Sequence, residues 1–377
     1  VGGLKYDTDG WRPNNELDQT AVTGLVQMAV TERINLQAEF QYRDSEEGDL
    51  AFNFDPDDFL KNKTIKRDQT TGRLGLRYSP SSDSHFLLSY IHSKRDEKNK
   101  QSEELPPILF LPPRARTDRK FRDEGDQLEV QHIREIEDLN LIVGAGYNNV
   151  DNRDDLSLSI DDPVIGNLLS VSDTEKTQVR QPHGYLYANA KPARAVTVTL
   201  GASYDHYEEG DLDSNSFNPK LGAQWDVSDR VSLRAAVFKT VKPALVNNRT
   251  IEPTQVAGFN QFFDDVNGTK SWRYAAGLDW RMTADLAAGS EFSYREMDEP
   301  LFTDDGGDRF ESRDEQFHKL YLYWTPSERV AVNSQLSYDR YTSENGIATE
   351  FDNLPKKVRT VSLPVGITYF SKSGWFS

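Results

Sequence analysis

The chemically able side chains of this 377-residue sequence that stand closest together are acidic. Asp44, Glu46, Glu47 and Asp49 precede Asp55, Asp57 and Asp58. Asp304, Asp305 and Asp308 surround Gly306 and Gly307, and Asp7-Thr8-Asp9-Gly10 opens the chain. Carboxylate oxygens suit Ca²⁺ or Mg²⁺, and glycine permits the tight turn of a cation loop. None of these runs has the full D-x-D-x-D-G spacing with a distal Glu. A solvated acidic loop, or one bridged by divalent ions to an anionic surface, is therefore the plainer reading.

Catalysis has weaker support. His85, His92, His132, His183, His206 and His318 are scattered along the chain, and His132 and His206 continue apolar faces where an interfacial ring fits better than a ligand. No G-x-S-x-G, P-loop or H-E-x-x-H spacing occurs. Cysteine is absent, which excludes disulfides and thiolate metal sites. A formal charge of -17 argues against nucleic acid as a partner, because phosphate neutralisation needs a basic surface. The expectation is a protein that is not an enzyme and has no resident cofactor.

A further set of charges is interleaved with apolar residues. Arg73, Arg77, Lys220, Arg234, Arg273, Arg281, Arg295 and Lys319 stand against Glu39, Glu129, Asp205, Asp226, Asp279, Glu291 and Asp339. The two signs roughly balance, so the acidity of the chain resides in its loops. A ring of one sign would have implied ion selectivity. A mixed wall fits either a wet channel or charges that pair with one another or with a plug.

The elements that must position these residues are strands. In 196–205 Val196, Val198, Leu200, Ala202 and Tyr204 share one face, and Thr197, Thr199, Gly201, Ser203 and Asp205 share the other. The same alternation recurs at 34–43, 73–78, 86–92, 128–132, 139–147, 185–190, 219–225, 231–237, 272–280, 286–294, 320–324, 330–338 and 361–369, with a poorer case at 21–30. About fifteen strands are expected. Short connections at 31–33, 80–83, 135–138, 191–194, 227–230, 282–285 and 325–328 alternate with connections at 44–64, 93–123, 152–175, 242–270, 296–312 and 343–355 that are long. The connection at 208–215 is shorter.

Soluble meanders have no reason to sort loops by parity, whereas outer-membrane barrels set short periplasmic turns on one rim and long extracellular loops on the other. A barrel of this size is too wide for side chains to fill. Its polar faces must line the interior, and Leu36, Leu200 and Leu363 must look toward lipid. Tyr42, Tyr78, Tyr90, Tyr147, Tyr204, Trp225, Trp272, Trp280, Tyr294, Trp324, Tyr338 and Tyr369 lie toward the ends of apolar faces, where aromatic girdles belong. The expected fold is an all-β, antiparallel, up-and-down transmembrane barrel of about 14–18 strands in one domain. Strand parity predicts further strands at one or both ends, or partner strands that close the wall.

Asn218-Pro219-Lys220-Leu221-Gly222 through Trp225, followed by 231–243 ending in Lys242-Pro243, resembles the barrel of TonB-dependent outer-membrane receptors. Residues 251–265 stand where that family often has an extracellular loop leading to its next strand. The sequence is also similar to barrels fused behind tetratricopeptide repeats in bacterial envelope proteins. The resemblance implies an outer-membrane location, lipid and lipopolysaccharide as surroundings, and a plug or a periplasmic repeat domain as partner. Three functions are expected in turn. The first is a channel or receptor for a polar solute, lined by Arg73, Arg77, Glu129, Asp205, Lys220, Arg234, Arg273, Asp279, Glu291, Arg295, Lys319 and Asp339. The second is an export channel for a polysaccharide or secreted chain. The third is an adhesion barrel in which deleting 242–270 abolishes binding and leaves conductance unchanged.

Overall fold

Alternating side chains dictate strands with one apolar and one polar face, and the computed structural model contains no helix among the residues it describes, which are 1–50, 59–107, 111–301, 309–343, 356–371, 373 and 375. In chain order the strands are β1 (Gly2–Thr8), β2 (Leu17–Ala29), β3 (Ile34–Glu47), β4 (Lys63–Ser81), β5 (Ser84–Glu104), β6 (Arg114–Ile136), β7 (Leu139–Asp162), β8 (Gly166–Ala193) and β9 (Val196–Glu209). There follow β10 (Leu212–Ser228), β11 (Val231–Val241), the two-residue β12 (Gln255–Val256) and β13 (Phe259–Asn260), then β14 (Lys270–Arg281) and β15 (Leu286–Leu301). The last are β16 (Arg309–Ser327), β17 (Val330–Ser343), β18 (Lys357–Ser362) and β19 (Val365–Tyr369).

Each long strand pairs antiparallel with the next, giving one 17-stranded sheet; β12 and β13 form a separate hairpin. Strands β18 and β19 share one place, pairing with successive halves of β17. Among the described residues no register joins β1 to β18 or β19.

The faces are inverted relative to a soluble protein. Leu36, Leu200 and Leu363 are 40%, 55% and 62% exposed, while Glu129 and Lys220 are 1% and 3% exposed. Apolar surface that meets no protein meets lipid, and the polar face is turned inward. Exposed Tyr78, Phe86, Trp225, Trp280, Trp324 and Tyr369 mark the rim of short turns. On the opposite rim an outward tyrosine donates its phenol diagonally to the neighbouring strand at four places. Tyr42 reaches Asp68 at 3.3 Å, Tyr90 reaches Asp126 at 2.6 Å, Tyr204 reaches Asn215 at 2.8 Å, and Tyr294 reaches Asp314 at 2.7 Å. Each acceptor lies two residues beyond the tyrosine's own register partner, on the long-loop side. The ring stays in the lipid and the hydroxyl finds a polar partner above it.

All seven short turns fall where the sequence places them, but two of the long loops are largely strand. Strands β5 to β8 run 21, 23, 24 and 28 residues. They turn most of 93–123 and 152–175 into a wall that rises past the membrane. Above the lipid both faces are polar, so no apolar alternation reveals the strand. Cross-strand ion pairs hold it instead: Arg122–Asp96 at 2.7 Å, Arg67–Glu97 at 2.8 Å, and Arg95–Asp123 and Arg119–Asp154. In the same way Asp44, Glu46 and Glu47 belong to β3, where Glu46 meets Lys66 at 2.7 Å. Asp7 and Thr8 belong to β1, a strand that polar residues and paired glycines hide from the sequence.

Candidate functional site

Inward positions on β6 and β8 carry amides, a carboxylate and aromatic rings at every second residue. Gln127, Glu129 and Gln131 project from β6, and His183, Tyr185 and Tyr187 project from β8. Three glycines make room for these rings. A Cβ at Gly146 would stand 2.4 Å from the His183 ring, one at Gly144 would stand 2.3 Å from Tyr185, and one at Gly201 would stand 2.8 Å from Tyr187. Each glycine is the direct register partner of its ring, so the rings lie against the wall.

The connection 242–269 enters this interior, in contrast to the extracellular loop expected of it. Its Arg249 guanidinium donates to both carboxylate oxygens of Glu39 on β3, each at 2.8 Å. Its Asp265 accepts from Arg295 on β15. Those strands are about ten strand spacings of ~4.8 Å apart along the sheet. The chain between the two contacts doubles back through the β12–β13 hairpin. Both contacts are met only if the sheet curls around the segment. The hairpin turn places Ala257 and Gly258 at φ 48° and 82°, the left-handed pair of a two-residue turn.

An apolar anchor fixes the hairpin. Val256, Ala257 and Phe259 pack with Ala236, Phe238 and Ala275 of the wall. Phe259 lies 4.8 Å under the Arg234 guanidinium, and Phe263 lies 4.0 Å from that of Arg295. Residues 249–252 are held differently, by polar groups. Gln127 Nε2 donates to the Arg249 carbonyl and Gln131 Nε2 to the Ile251 carbonyl, each at 2.6 Å. Glu129 accepts from the Thr250 hydroxyl and the Ile251 N–H, and the Tyr187 phenol donates to Glu252 at 2.6 Å. Burial pushes the Glu252 carboxyl above its ordinary value, against the pull of nearby Lys220.

The segment divides the interior into two mouths. A cavity of 740 Å³ faces the long-loop rim, with Arg95, Asp123, Asp154, Glu175, Lys242 and Val246 in its lining. One of 770 Å³ faces the short-turn rim between Arg194, Asp226, Arg230, Asp279, Arg281 and Tyr321. Where His183, Asp205, Lys220, Thr240 and Glu252 converge, only 10 Å³ remains, less than one water.

The charged positions singled out in the sequence fall along this interior. Lys220 donates to the Lys239 carbonyl at 3.1 Å, and Asp205 accepts from Asn218 at 2.7 Å. Glu291 joins Arg273 and Lys319, both at 3.1 Å, and Arg234 meets Asp279 at 2.8 Å. Arg295 also meets Glu315 at 2.7 Å, Arg73 reaches Ser89 at 3.4 Å, and Asp339 is half-buried on β17. Arg77 is exposed near the turn rim beside His85. Most of the wall charges therefore engage one another, neighbouring polar groups or residues 242–269, whereas Asp339 Oδ1 is buried without a hydrogen bond. The amides Gln127, Gln131 and Gln181, and Tyr185 and Tyr187, escape a search for charge, although their alternation with Leu128, Val130 and Leu186 carries the signal.

The cation candidates Asp55, Asp57, Asp58, Asp304, Asp305 and Asp308 lie outside the described residues. Asp49, from the same acidic stretch, meets Lys63 at 3.1 Å. Among the described residues His206, Glu208 and Asp213 bring ligand-type atoms within 4.8 Å of one another on the outer rim. Their ring nitrogens and oxygens are already joined, His206 to Glu208 at 2.8 Å and to Asn215 at 3.0 Å.

Residues 101–286 match the family model described as TonB dependent receptor-like, beta-barrel. Solved structures share the fold at low identity. The ferripyoverdine receptor of the Pseudomonas aeruginosa outer membrane aligns with TM-score 0.67 and 10% identity over 96% of this chain and 53% of its own. The ferric yersiniabactin uptake receptor FyuA from Yersinia pestis gives 0.66 and 13% over 98% and 60%. The ferric citrate transporter FecA gives 0.66 and 14% over 98% and 58%. The chain thus spans little more than half the length of these structures. No curated protein matches it significantly. An inverted, lipid-facing antiparallel sheet and a family match over residues 101–286 together give this chain the fold of a TonB-dependent-receptor-type β-barrel, an architecture of the bacterial outer membrane.

Proposed function

We propose that the protein receives a polar solute at its outer mouth and passes it along the inward face, with 242–269 shutting that path at rest. One observation carries the reading: a polar wall continues from one mouth to the other, interrupted where this segment is hydrogen-bonded across it. An outer cavity of 740 Å³ is of the size that holds a small-molecule ligand. The ferric-chelate receptors and transporter named above support a solute of that bulk and polarity. The work is then transport rather than catalysis.

Planar-bilayer recording of the purified 377-residue chain tests this. The intact barrel is expected to conduct little, and a variant lacking 246–262 to conduct steadily. A deleted barrel that retains heat-modifiable electrophoretic mobility, and is therefore folded, yet conducts no more than the intact one would overturn the reading. The same experiment separates it from adhesion through an external loop, for which the deletion leaves conductance unchanged.

A further inference from the structure

The outer boundary of the lipid band is marked on β15 by Tyr294 and, one outward step higher, by the acceptor of its phenol, Asp314 of β16. From Tyr294 the register runs through Gln316 to Arg340 and Arg359, and from Asp314 it runs to Thr342 and Lys357. Elsewhere on this rim the phenols meet Asp68, Asp126 and Asn215. On the outward face of β17 and β18 three cations stand instead. Directly beneath them the same face is apolar. Tyr338 and Val361 are paired one step below the two arginines, ~6.8 Å along the strands, and Leu336 and Leu363 follow. Leu336, Val361 and Leu363 are 40%, 69% and 62% exposed.

These cations have no counter-charge. No hydrogen bond or ion pair joins the side chain of Arg340, Lys357 or Arg359 to another described residue, and Arg340 Nε is buried without a partner. Arg340 is flanked on its two sides by Gln316 and Arg359, so neither neighbouring strand offers it a carboxylate in register. Like charges directly opposite one another destabilise a strand pair. Desolvation, and after it the charges of Arg340 and Arg359, push the Lys357 ammonium below its ordinary value. In a chain of formal charge -17 the cluster is a local reversal of sign. An anion placed on it removes the repulsion, and a guanidinium matches two phosphate oxygens at once. We propose that Arg340, Lys357 and Arg359 bind the phosphate of an outer-leaflet lipid, lipopolysaccharide, whose acyl chains lie along Leu336, Val361 and Leu363. A lipid fits better than a free anion because the charge sits directly above exposed apolar wall. The site lies on the outer face and does not depend on any opening of the interior.

The test titrates the full chain, folded in detergent, with fluorescently labelled lipopolysaccharide in excess EDTA and reads fluorescence anisotropy. Saturable binding is expected. Arg340→Gln with Arg359→Gln should weaken it by about tenfold or more. Lys98→Gln with Lys120→Gln, which removes the same charge from exposed register partners on β5 and β6, should change it by less than about twofold. Lipopolysaccharide stripped of its phosphates should displace the label about tenfold more weakly than the intact lipid does. Inorganic phosphate should displace it only at far higher concentration. Equal binding by the arginine variant and the lysine variant overturns the proposal, as does equal displacement by the stripped lipid. Displacement by inorganic phosphate at the concentration of the lipid would make the cations a free-anion site and overturn the lipid as occupant. Binding that vanishes in EDTA would place the lipid on the acidic rim through divalent ions, and overturns the proposal too. If the arginine variant loses heat-modifiable mobility and is therefore unfolded, Lys357→Gln at its exposed position should still weaken binding about fivefold, and unchanged binding there sinks the site.

Discussion

At the scale of single residues, the interior is a set of buried polar groups most of which are hydrogen-bonded or ion-paired, with the Asn148 amide an exception. Arg249 and Glu39 form a two-oxygen guanidinium contact, a geometry stronger than a single neutral hydrogen bond. Arg249→Ala is expected to weaken docking of 249–252 by about 1.5 kcal/mol, roughly tenfold, read as a higher open fraction in single-channel records. Glu252 gives a pH dependence of defined sign. Burial raises its carboxyl in the docked state, so docking binds a proton more readily than the free segment does. Docking is therefore strongest below the ordinary glutamate value of about 4.3 and weakens as pH rises through the raised one. Conductance should increase over that interval and then level off. Glu252→Gln should remove the dependence, and a pH profile that persists in this variant would assign it to another group. Asp205, Lys220 and His183 face the same spot and set where the interval ends.

At the scale of elements, each strand must satisfy two solvents at once. Leu200 sits mid-strand on β9, opposite Leu221 on β10, and both are exposed to lipid. Leu200→Arg is expected to cost ~2–4 kcal/mol if Leu200 lies at the bilayer midplane, measured by equilibrium unfolding in vesicles. Arg95→Ala, in the exposed ladder above the membrane, should change stability by less than ~1 kcal/mol in the same assay. Gly144 shows the opposite constraint: with Tyr185 occupying the space of a Cβ, Gly144→Val should displace the ring and cost ~1–3 kcal/mol. Much of this was legible in advance. The seven turns and the membrane portion of most strands followed from period-two alternation and turn residues. The upper halves of β5 to β8 did not, because Lys94-Arg95-Asp96-Glu97 has no apolar face and only pairing with Asp123 and Arg122 makes it a strand.

At the scale of the whole molecule, the sheet's curl gathers a row of inward charges around residues 242–269, with a cavity on either side. A flat sheet of the same strands could not bring Glu39 and Arg295 to opposite sides of one 28-residue connection. The constriction is then a property of the connection, which is why its removal is the decisive conductance experiment. Height matters as well: β8 runs 28 residues, ~90 Å of strand at ~3.3 Å each, against a lipid band of ~25 Å. Most of that excess stands outside the membrane around the outer cavity, and truncating the β7–β8 tip at 156–172 should leave refolding intact while altering solute capture, measured by equilibrium dialysis.

The sequence by itself determined which way the membrane portions of most strands face, where the short turns reverse the chain, and that charges and lipid-facing residues alternate. Those are local matters, settled by a two-residue repeat and by turn chemistry. It did not determine whether the interior charges meet water, a partner or each other, nor that 242–269 turns inward. A run such as Asn248-Arg249-Thr250-Ile251-Glu252 looks like any exposed loop. Its place depends on Glu39, Gln127, Gln131 and Tyr187, which lie 65 to 210 residues away and are brought to one spot only by the curvature of the sheet.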